Sequence, residues 1–522
     1  MNYRPISDHI GIIAAIGGIL TVTVVLFTPS FRYGFVSDDF LEVTLTSWSQ
    51  VWAAWVRDGF RRPLDEVYFL TFYKLFGFDP QPFRLFLLAL YSTNTLLVYF
   101  FIRGLLRDKI AGAAVAVLFA ANLVQFRNIY WISNSIFLME TFFFLVALYC
   151  YVESLERGNR AWIVAALGIA LFGVLMTKEH LVMFPVVAAI TGCYHRLALT
   201  GSLTRDDIVS IARSAKLFLL VPLIFFLSRA AATAITETGL GCPYDLQSCL
   251  NANEADPFRV SLFGPHLLIN FMQQAYWNLG NIGAYVVDSL WNESSGILEW
   301  RNISWPQYLI TCGYGLAIVG WHRMFNQNGA WWYLVLGLLW FFTILAPVLV
   351  LPNHSYPYFS SFASIGLWIA LIIPFRGLQG LWGRSAARVG ILALVLLFTA
   401  NSIYWVSKNL PTHLITSTSR FLSGLEGHLK LLHPTLPHGA TLVFLNIGNW
   451  HLGYNKAPIV MYRDPSIQIF SKEDLQVRDG RLSLPENRPF SRTSTFVFLL
   501  TPNGLREVTR EFFSPDQKIQ FK

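Results

Sequence analysis

Apolar stretches about as long as a bilayer is thick recur along this chain, and they decide what it can fold into. A helix needs about 20 such residues to cross a hydrocarbon core of roughly 30 Å. The first stretch runs from about Ile10 to Thr28. It is too long for a removed signal peptide and lacks a small-residue cleavage site, so it reads as an anchor. Others lie near 82–102, 110–126, 133–152, 161–177, 181–199, 214–233, 306–321, 331–350, 356–375 and 387–407. The expectation is an α-helical polytopic membrane protein with about 11 spans. Composition agrees: 13% of residues are charged, against about 25% in a soluble domain, and mean hydropathy is +0.46. So few charges cannot cover the surface of a soluble globule.

Orientation follows from the basic residues of the short loops. One side carries Arg103, Arg107 and Lys109, then Arg157 and Arg160, then Arg196, Arg205, Arg213 and Lys216, then Arg323, Arg376, Arg384 and Arg388. The other side is nearly free of them. The N-terminus is therefore expected in the cytoplasm and, with an odd number of spans, the C-terminus outside. The stretch 264–290 would reverse everything after it if it spanned once. It carries His266, Asn270, Gln273, Gln274, Asn278, Asn281 and Asp288, so interfacial or re-entrant helices are expected there, with a pair of short spans as the alternative.

Two regions lie outside the spans. One is the first loop, about 29–81; the other is a tail, 408–522, after the membrane region 1–407. The tail reads as a small α/β domain. Helices are expected at 414–432 and 503–512, and strands at Thr441–Leu445, Ile459–Tyr462, Ile467–Phe470 and Phe496–Leu500, separated by turns such as Asp479-Gly480 and Pro502-Asn503-Gly504. Cys242 and Cys249 share one polar loop and are candidates to pair in an oxidising compartment. No Cys/His spacing points to structural zinc. The net charge of +8 is no sign of nucleic-acid binding, because no basic stripe exists.

The charge is instead unevenly spread. The expected cytoplasmic segments hold 14 basic and 6 acidic residues, the tail 14 and 9, and the remainder 11 and 16. The first loop alone holds seven acids: Asp38, Asp39, Glu42, Asp58, Asp65, Glu66 and Asp79. Adjacent Asp38 and Asp39 stand beside the first span, where a buried charge is expensive. In a wet cleft such a pair serves as a base and as a ligand for metal or hydroxyl; the bland alternative is a turn or helix cap.

The following residues narrow this. Gly59-Phe60-Arg61-Arg62-Pro63-Leu64 is followed by Leu75-Phe76-Gly77 and a span containing Asn94; Met176-Thr177-Lys178-Glu179-His180 and Pro352-Asn353-His354-Ser355-Tyr356-Pro357-Tyr358 lie at later span ends on the same side. In that order these segments resemble integral-membrane glycosyltransferases of the C-type fold (GT-C) superfamily, in the protein O-mannosyltransferase and aminoarabinose-transferase branch. The resemblance is firm over about 30–105, thinner to about 375, and absent from the tail. It implies an inverting transfer of a sugar from a polyprenyl-phosphate donor to an acceptor hydroxyl on a lipid, glycan or protein, at the extracytoplasmic face. Asp38 matches the family's base. The family's second acid is Glu, where this chain has Asp39.

Such a reaction releases a lipid phosphate, which cations stabilise. Arg61, Arg62, Lys178, Arg229 and His354 are candidates to bind it. Glu140, Glu179, His180, Tyr356 and Tyr358 are candidates to hold sugar or acceptor. Each also has an ordinary reading as a rim anchor, headgroup contact or buried partner. A divalent metal stays open, since Glu179-His180 alone is poor evidence for one. The Asn-x-Ser triplets at Asn292, Asn302 and Asn353 do not decide the source; the compartment is a bacterial periplasm or an ER lumen, the bacterial inner membrane being favoured. The rival class is a non-enzymatic polyprenol-lipid transporter or assembly scaffold; a second enzyme reading uses a phospholipid or nucleotide-linked donor.

Overall fold

The computed structural model describes residues 6–57, 62–236, 260–279, 305–324, 330–352, 355–478, 481–483 and 494–514. Helices dominate. Those that build the site are α1 (Ile6–Phe27), α2 (Asp39–Val43), α3 (Trp48–Arg57), α4 (Pro63–Phe76), α5 (Pro80–Leu106), α6 (Lys109–Ala121), α7 (Phe126–Tyr130), α8 (Ser135–Arg157), α9 (Arg160–Met176) and α10 (Phe184–Thr200). Their starts are encoded locally. Asp79 accepts the Gln81 N–H ahead of α5, with Pro80 in the first turn. Asp108 accepts from Ile110 and Ala111 at the start of α6. Such caps contribute about 1 kcal/mol each.

Among the described residues, seven helices are long and apolar enough to cross a membrane: Ile10–Arg32, Pro80–Leu106, Ile132–Arg157, Glu179–Thr200, Arg205–Ala231, Trp331–Leu349 and Gly383–Lys408. The protein is a multi-pass membrane protein. The pair Lys109–Ala121 and Leu123–Tyr130, bent by 50°, makes eight if its two halves form one broken span rather than a re-entrant loop. The expected count of eleven is therefore not reached by length and hydropathy among the described residues. The other expected positions are helical but weaker. Arg160–Met176 has 17 residues, Trp305–Met324 carries His322 and Arg323 in its last turn, and the stretch 356–375 is broken into a short 3-10 turn and the helix Ser364–Ile372.

The bundle packs α5 against α6 and α8, and α8 against α9. Helices Ala330–Leu349 and Ser364–Ile372 meet closely. A Cβ added at Gly337 would lie 2.5 Å from the Gly366 carbonyl oxygen, and one at Gly366 the same distance from that of Gly337. Only glycine permits that approach.

The stretch 264–290 contributes a helix, Pro265–Leu279, of 15 residues. At 1.5 Å per residue it spans about 22 Å, short of a bilayer core. Asn270, Gln273, Gln274 and Asn278 in it are buried, and Asn281 and Asp288 lie outside the described residues. Asn270 donates to the Leu349 and Leu351 carbonyls, Gln274 to Tyr356 O and Ser355 Oγ, and Asn278 to Ser360 Oγ. Asn122, at the bend after α6, donates to Asn278 Oδ1 at 2.7 Å. Unmade, such bonds would leave costly buried polar groups.

In the tail, helix Leu414–Leu432 covers a sheet in the order β2 (Gln468–Phe470), β1 (Thr441–Phe444), β5 (Thr495–Thr501), β6 (Gly504–Glu507). β1 pairs parallel with both β2 and β5, and β6 returns antiparallel to β5. A separate pair joins β3 (Gln476–Arg478) to β4 (Arg481–Ser483). Two expectations are corrected. Ile459–Tyr462 is not a strand but part of the helix Ala457–Tyr462, started by Pro458 and ended by left-handed Arg463. Residues 504–507 are not helical, because they complete a hairpin with β5; the helix there is only Thr509–Phe513. Cys242, Cys249, Asn292, Asn302, Asn353 and the turn at Asp479-Gly480 lie outside the described residues.

Candidate active site

The site begins with a buried guanidinium. Arg84, in the first turns of α5, is fully buried. Its Nε donates to Tyr33 O at 2.6 Å, its Nη2 to Gly34 O at 2.7 Å and its Nη1 to Tyr130 O at 3.3 Å. One side chain thereby ties the chain just before the acidic pair to α5 and α7. From the tail, Ser419 Oγ accepts the Gly34 N–H at 2.8 Å.

The two aspartates then part ways. Asp39 is 0% exposed. One oxygen accepts the Ser133 N–H and hydroxyl, at 2.7 and 2.6 Å, and the other accepts the Val36 N–H at 2.9 Å. Burial pushes its carboxyl up to about 6, the hydrogen bonds and Arg84 working against that rise. Asp38 stands at the N-cap position of α2 but caps nothing. It is partly open to solvent. Ser37 Oγ donates to it at 3.2 Å, and the tail's Tyr454 hydroxyl and the charge of Arg62 bear on it. Burial still pushes its carboxyl above the ordinary value.

Three more acids adjoin this pair. Glu42 follows Asp38 by one turn; Asp65 and Glu66 sit in the first turn of α4. Burial raises Asp65 to about 7 despite Arg62, the Ser135 hydroxyl and Lys178, and raises Glu66 to about 8 with Asp65 adding to the shift. Glu42 is raised well above its usual range, by burial first and then by Asp65 and Glu66. The cluster therefore retains protons near neutrality. Between the first loop and the tail, a cavity of about 400 Å³ has Glu42, Glu66 and Tyr73 on one wall and Lys456 and Arg463 on the other.

The candidate cations divide. Arg62 lies among the acids, its charge acting on Asp38, Glu42, Asp65 and Glu66. Lys178 is 6% exposed, with Nζ 4.6 Å from the Phe137 ring centroid. Arg229 stacks on Phe225 at 5.0 Å and interacts with exposed Glu179. Arg61 and His354 lie outside the described residues. Among the described residues, no group of three His, Cys, Asp or Glu side chains is placed to hold a metal ion.

Glu140 and His180 come together. Glu140 Oε2 lies 3.1 Å from His180 Nδ1, both residues being buried. They line a small cavity of about 20 Å³ with Phe137, Tyr358 and Phe359. Tyr356 and Tyr358 stack at 5.3 Å, with ring planes 8° apart. They face a residue that sequence reasoning passed over: the Arg127 guanidinium sits 5.2 Å from the Tyr356 ring, 5.8 Å from Tyr358 and 5.8 Å from Trp131. Arg127, 8% exposed, is a cation held against three aromatic faces. The signal for it was a charge at the break between two apolar stretches. Arg84 left a similar signal at the start of a span, whereas Tyr454 left only the turn-like Gly453-Tyr454-Asn455.

No protein-family model matches this sequence, and no curated protein sequence matches it. Solved structures are similar to it, two of which are of ArnT. ArnT from Cupriavidus metallidurans in the apo state is 13% identical with a TM-score of 0.41, over 88% of this chain and 86% of that one. ArnT from the same organism bound to undecaprenyl phosphate is 11% identical with a TM-score of 0.41, over 93% and 92%.

Proposed function

We propose that this protein transfers a sugar from a polyprenyl-phosphate donor to an acceptor hydroxyl, with inversion, at the extracytoplasmic face, and that Asp38 is the base. The observation that carries this reading is the division of labour in the acidic pair. Asp39 has its oxygens occupied by three hydrogen bonds, while Asp38 keeps an open edge, a raised basicity and a neighbouring Arg62. A base works best when its pKa approaches the working pH.

In the step itself, the acceptor oxygen attacks the anomeric carbon and the bond from that carbon to the phosphate oxygen breaks. The electron pair leaves with the polyprenyl phosphate, and the acceptor proton passes to Asp38. Negative charge grows on the leaving phosphate. Arg62, Lys178, Arg127 and Arg229 are the cations that would offset it, the arginines as forks and the lysine as a point charge. The cavity walled by Glu42 and Glu66 on one side and Lys456 and Arg463 on the other, one helical turn from Asp38 at Glu42, is where the acceptor would be held. Its mixed charge suits a polar, hydroxyl-rich group.

The test uses the full-length protein in detergent with a panel of undecaprenyl-phosphoryl pentoses and hexoses, and membrane extract as the acceptor source. Transfer of labelled sugar that falls at least 100-fold in Asp38→Asn supports the reading. Undiminished transfer in a folded Asp38→Asn variant overturns it. Movement of undecaprenyl phosphate across proteoliposomes without any sugar transfer would favour the transporter reading instead.

A further inference from the structure

We propose that Tyr454 is a positioning residue for Asp38: a hydroxyl delivered by the tail fixes the carboxylate that the first loop presents. The proposal rests on Asp38 as the base.

Tyr454 meets Asp38 across the seam between tail and first loop, where its hydroxyl bears on the carboxylate and on Ser37, whose own hydroxyl donates to Asp38. The backbone that carries it is unusual. Gly453, Tyr454 and Asn455 all have positive φ, at +57°, +53° and +63°. Three consecutive left-handed residues form only where surrounding bonds impose them. Those bonds are present. The Gly453 N–H donates to Trp450 O at 3.2 Å, the Tyr454 N–H to Asn449 O at 2.9 Å, and Asn455 Nδ2 to Asp474 Oδ2 at 2.7 Å.

The loop is also seated to a set depth. Gly453 lies flush on Phe40, in α2 beside the acidic pair, where a Cβ would fall 2.4 Å from the ring. A glycine here lets the tail approach until the next residue reaches Asp38. The strained positions converge as well. Of the six non-glycine residues with positive φ among the described residues, Ser37, Arg62 and Tyr454 all act on Asp38. Strain gathered around one side chain marks a place where geometry is held at a cost to stability. Tyr454 remains 36% exposed, so the contact leaves the cleft open. Packing alone would be served by Phe.

The test is therefore Tyr454→Phe, which keeps the ring and removes the hydroxyl. The groups facing Asp38 are Ser37 and Glu42 from its own segment, Arg62 ahead of α4, and Tyr454 with Tyr356 beyond it. Removing a donor to the ionised carboxylate raises its pKa. The expected result is a kcat about tenfold lower, donor KM within twofold of wild type, and the acidic limb of the pH profile moved upward. Glu42→Gln shows whose limb it is, since a limb owned by Asp38 persists in that variant.

A second readout needs no activity. The carboxyl C=O band is titrated by infrared difference spectroscopy, with Asp38→Asn identifying the Asp38 component. Its midpoint is expected to rise in Tyr454→Phe and to fall when a ring-fluorinated tyrosine, a stronger donor, is placed at 454. An Asp38 midpoint unmoved by both changes overturns the proposal, even if Asp38→Asn abolishes transfer. Conversely, transfer surviving Asp38→Asn defeats the base assignment, whatever the infrared shift. If Tyr454→Phe does not fold, the fluorotyrosine arm decides alone.

Discussion

Ser133 gives Asp39 both its backbone N–H and its hydroxyl, at 2.7 and 2.6 Å. A residue 94 positions away thus occupies one whole oxygen of the second acid. Hydrogen bonds to a buried charge contribute about 1.5–3 kcal/mol each, and an unmatched buried donor costs about 1–3 kcal/mol. Asp39→Asn turns an amide against at least one N–H. It is expected to destabilise the protein by about 3 kcal/mol, read as a clear fall in Tm in detergent. Asp38→Asn should leave Tm within a few degrees of wild type while removing transfer. Equal Tm for both variants would show that the acids do not differ in this way.

The acid cluster sets a pH dependence of stability. Asp65 and Glu66 rise to about 7 and about 8 in the folded protein, against about 3.9 and 4.3 unfolded. The folded state then holds protons that the unfolded state has released. Stability from these groups is greatest below about pH 4 and falls as pH climbs toward 8. The Tm of wild type should drop between pH 5.5 and pH 8. In Asp65→Asn/Glu66→Gln that drop should shrink, since each group contributes a slope of at most about 1.4 kcal/mol per pH unit. Parallel Tm curves for wild type and double variant would contradict the shifts.

Arg127 tests whether the aromatic cage serves the donor. Cation–π contacts contribute about 0.5–2 kcal/mol, and lysine reproduces neither the planar stack nor the fork. Arg127→Lys is expected to raise donor KM about tenfold, with a smaller effect on kcat. Saturation kinetics with an undecaprenyl-phosphoryl sugar measure this. An unchanged KM with a lowered Tm would make the cage purely structural.

Gly337 and Gly366 predict a packing failure. Either one changed to Ala puts a methyl 2.5 Å from a backbone carbonyl. Backbone cannot yield as a side-chain tip does, so the cost is expected to reach or exceed the ~1–3 kcal/mol of ordinary overpacking. Size-exclusion profiles in detergent should show loss of the monodisperse peak. A Gly17→Ala control, with nothing within 4 Å of the added Cβ, should behave as wild type.

Much of the architecture was legible in the residues because long apolar periodicity is a strong signal. The tail helix at 414–432 was expected where it forms, as was the strand that became β5. Short segments were less legible. Ile459-Val460-Met461-Tyr462 has the composition of a strand, yet Pro458 and Arg463 confine it to a short helix. The helix Pro265–Leu279 looked too polar for a core because its amides serve partners about 80 positions away. The site shows the same limit. Adjacent Asp38 and Asp39 were visible as a pair, but nothing local separates them. Ser133 on one side and Tyr454 on the other do, and only folding brings those residues near.

The seam between Gly453 and Phe40 also bears on how the molecule is made. The first loop and most of the helices leave the ribosome long before Gly453 and Tyr454 do. Insertion into the bilayer and seating of the tail on the first loop are then separate events. A nascent chain already threaded through the membrane holds its acids before Tyr454 arrives beside Asp38. Catalytic competence would arrive last, when the tail has folded and seated.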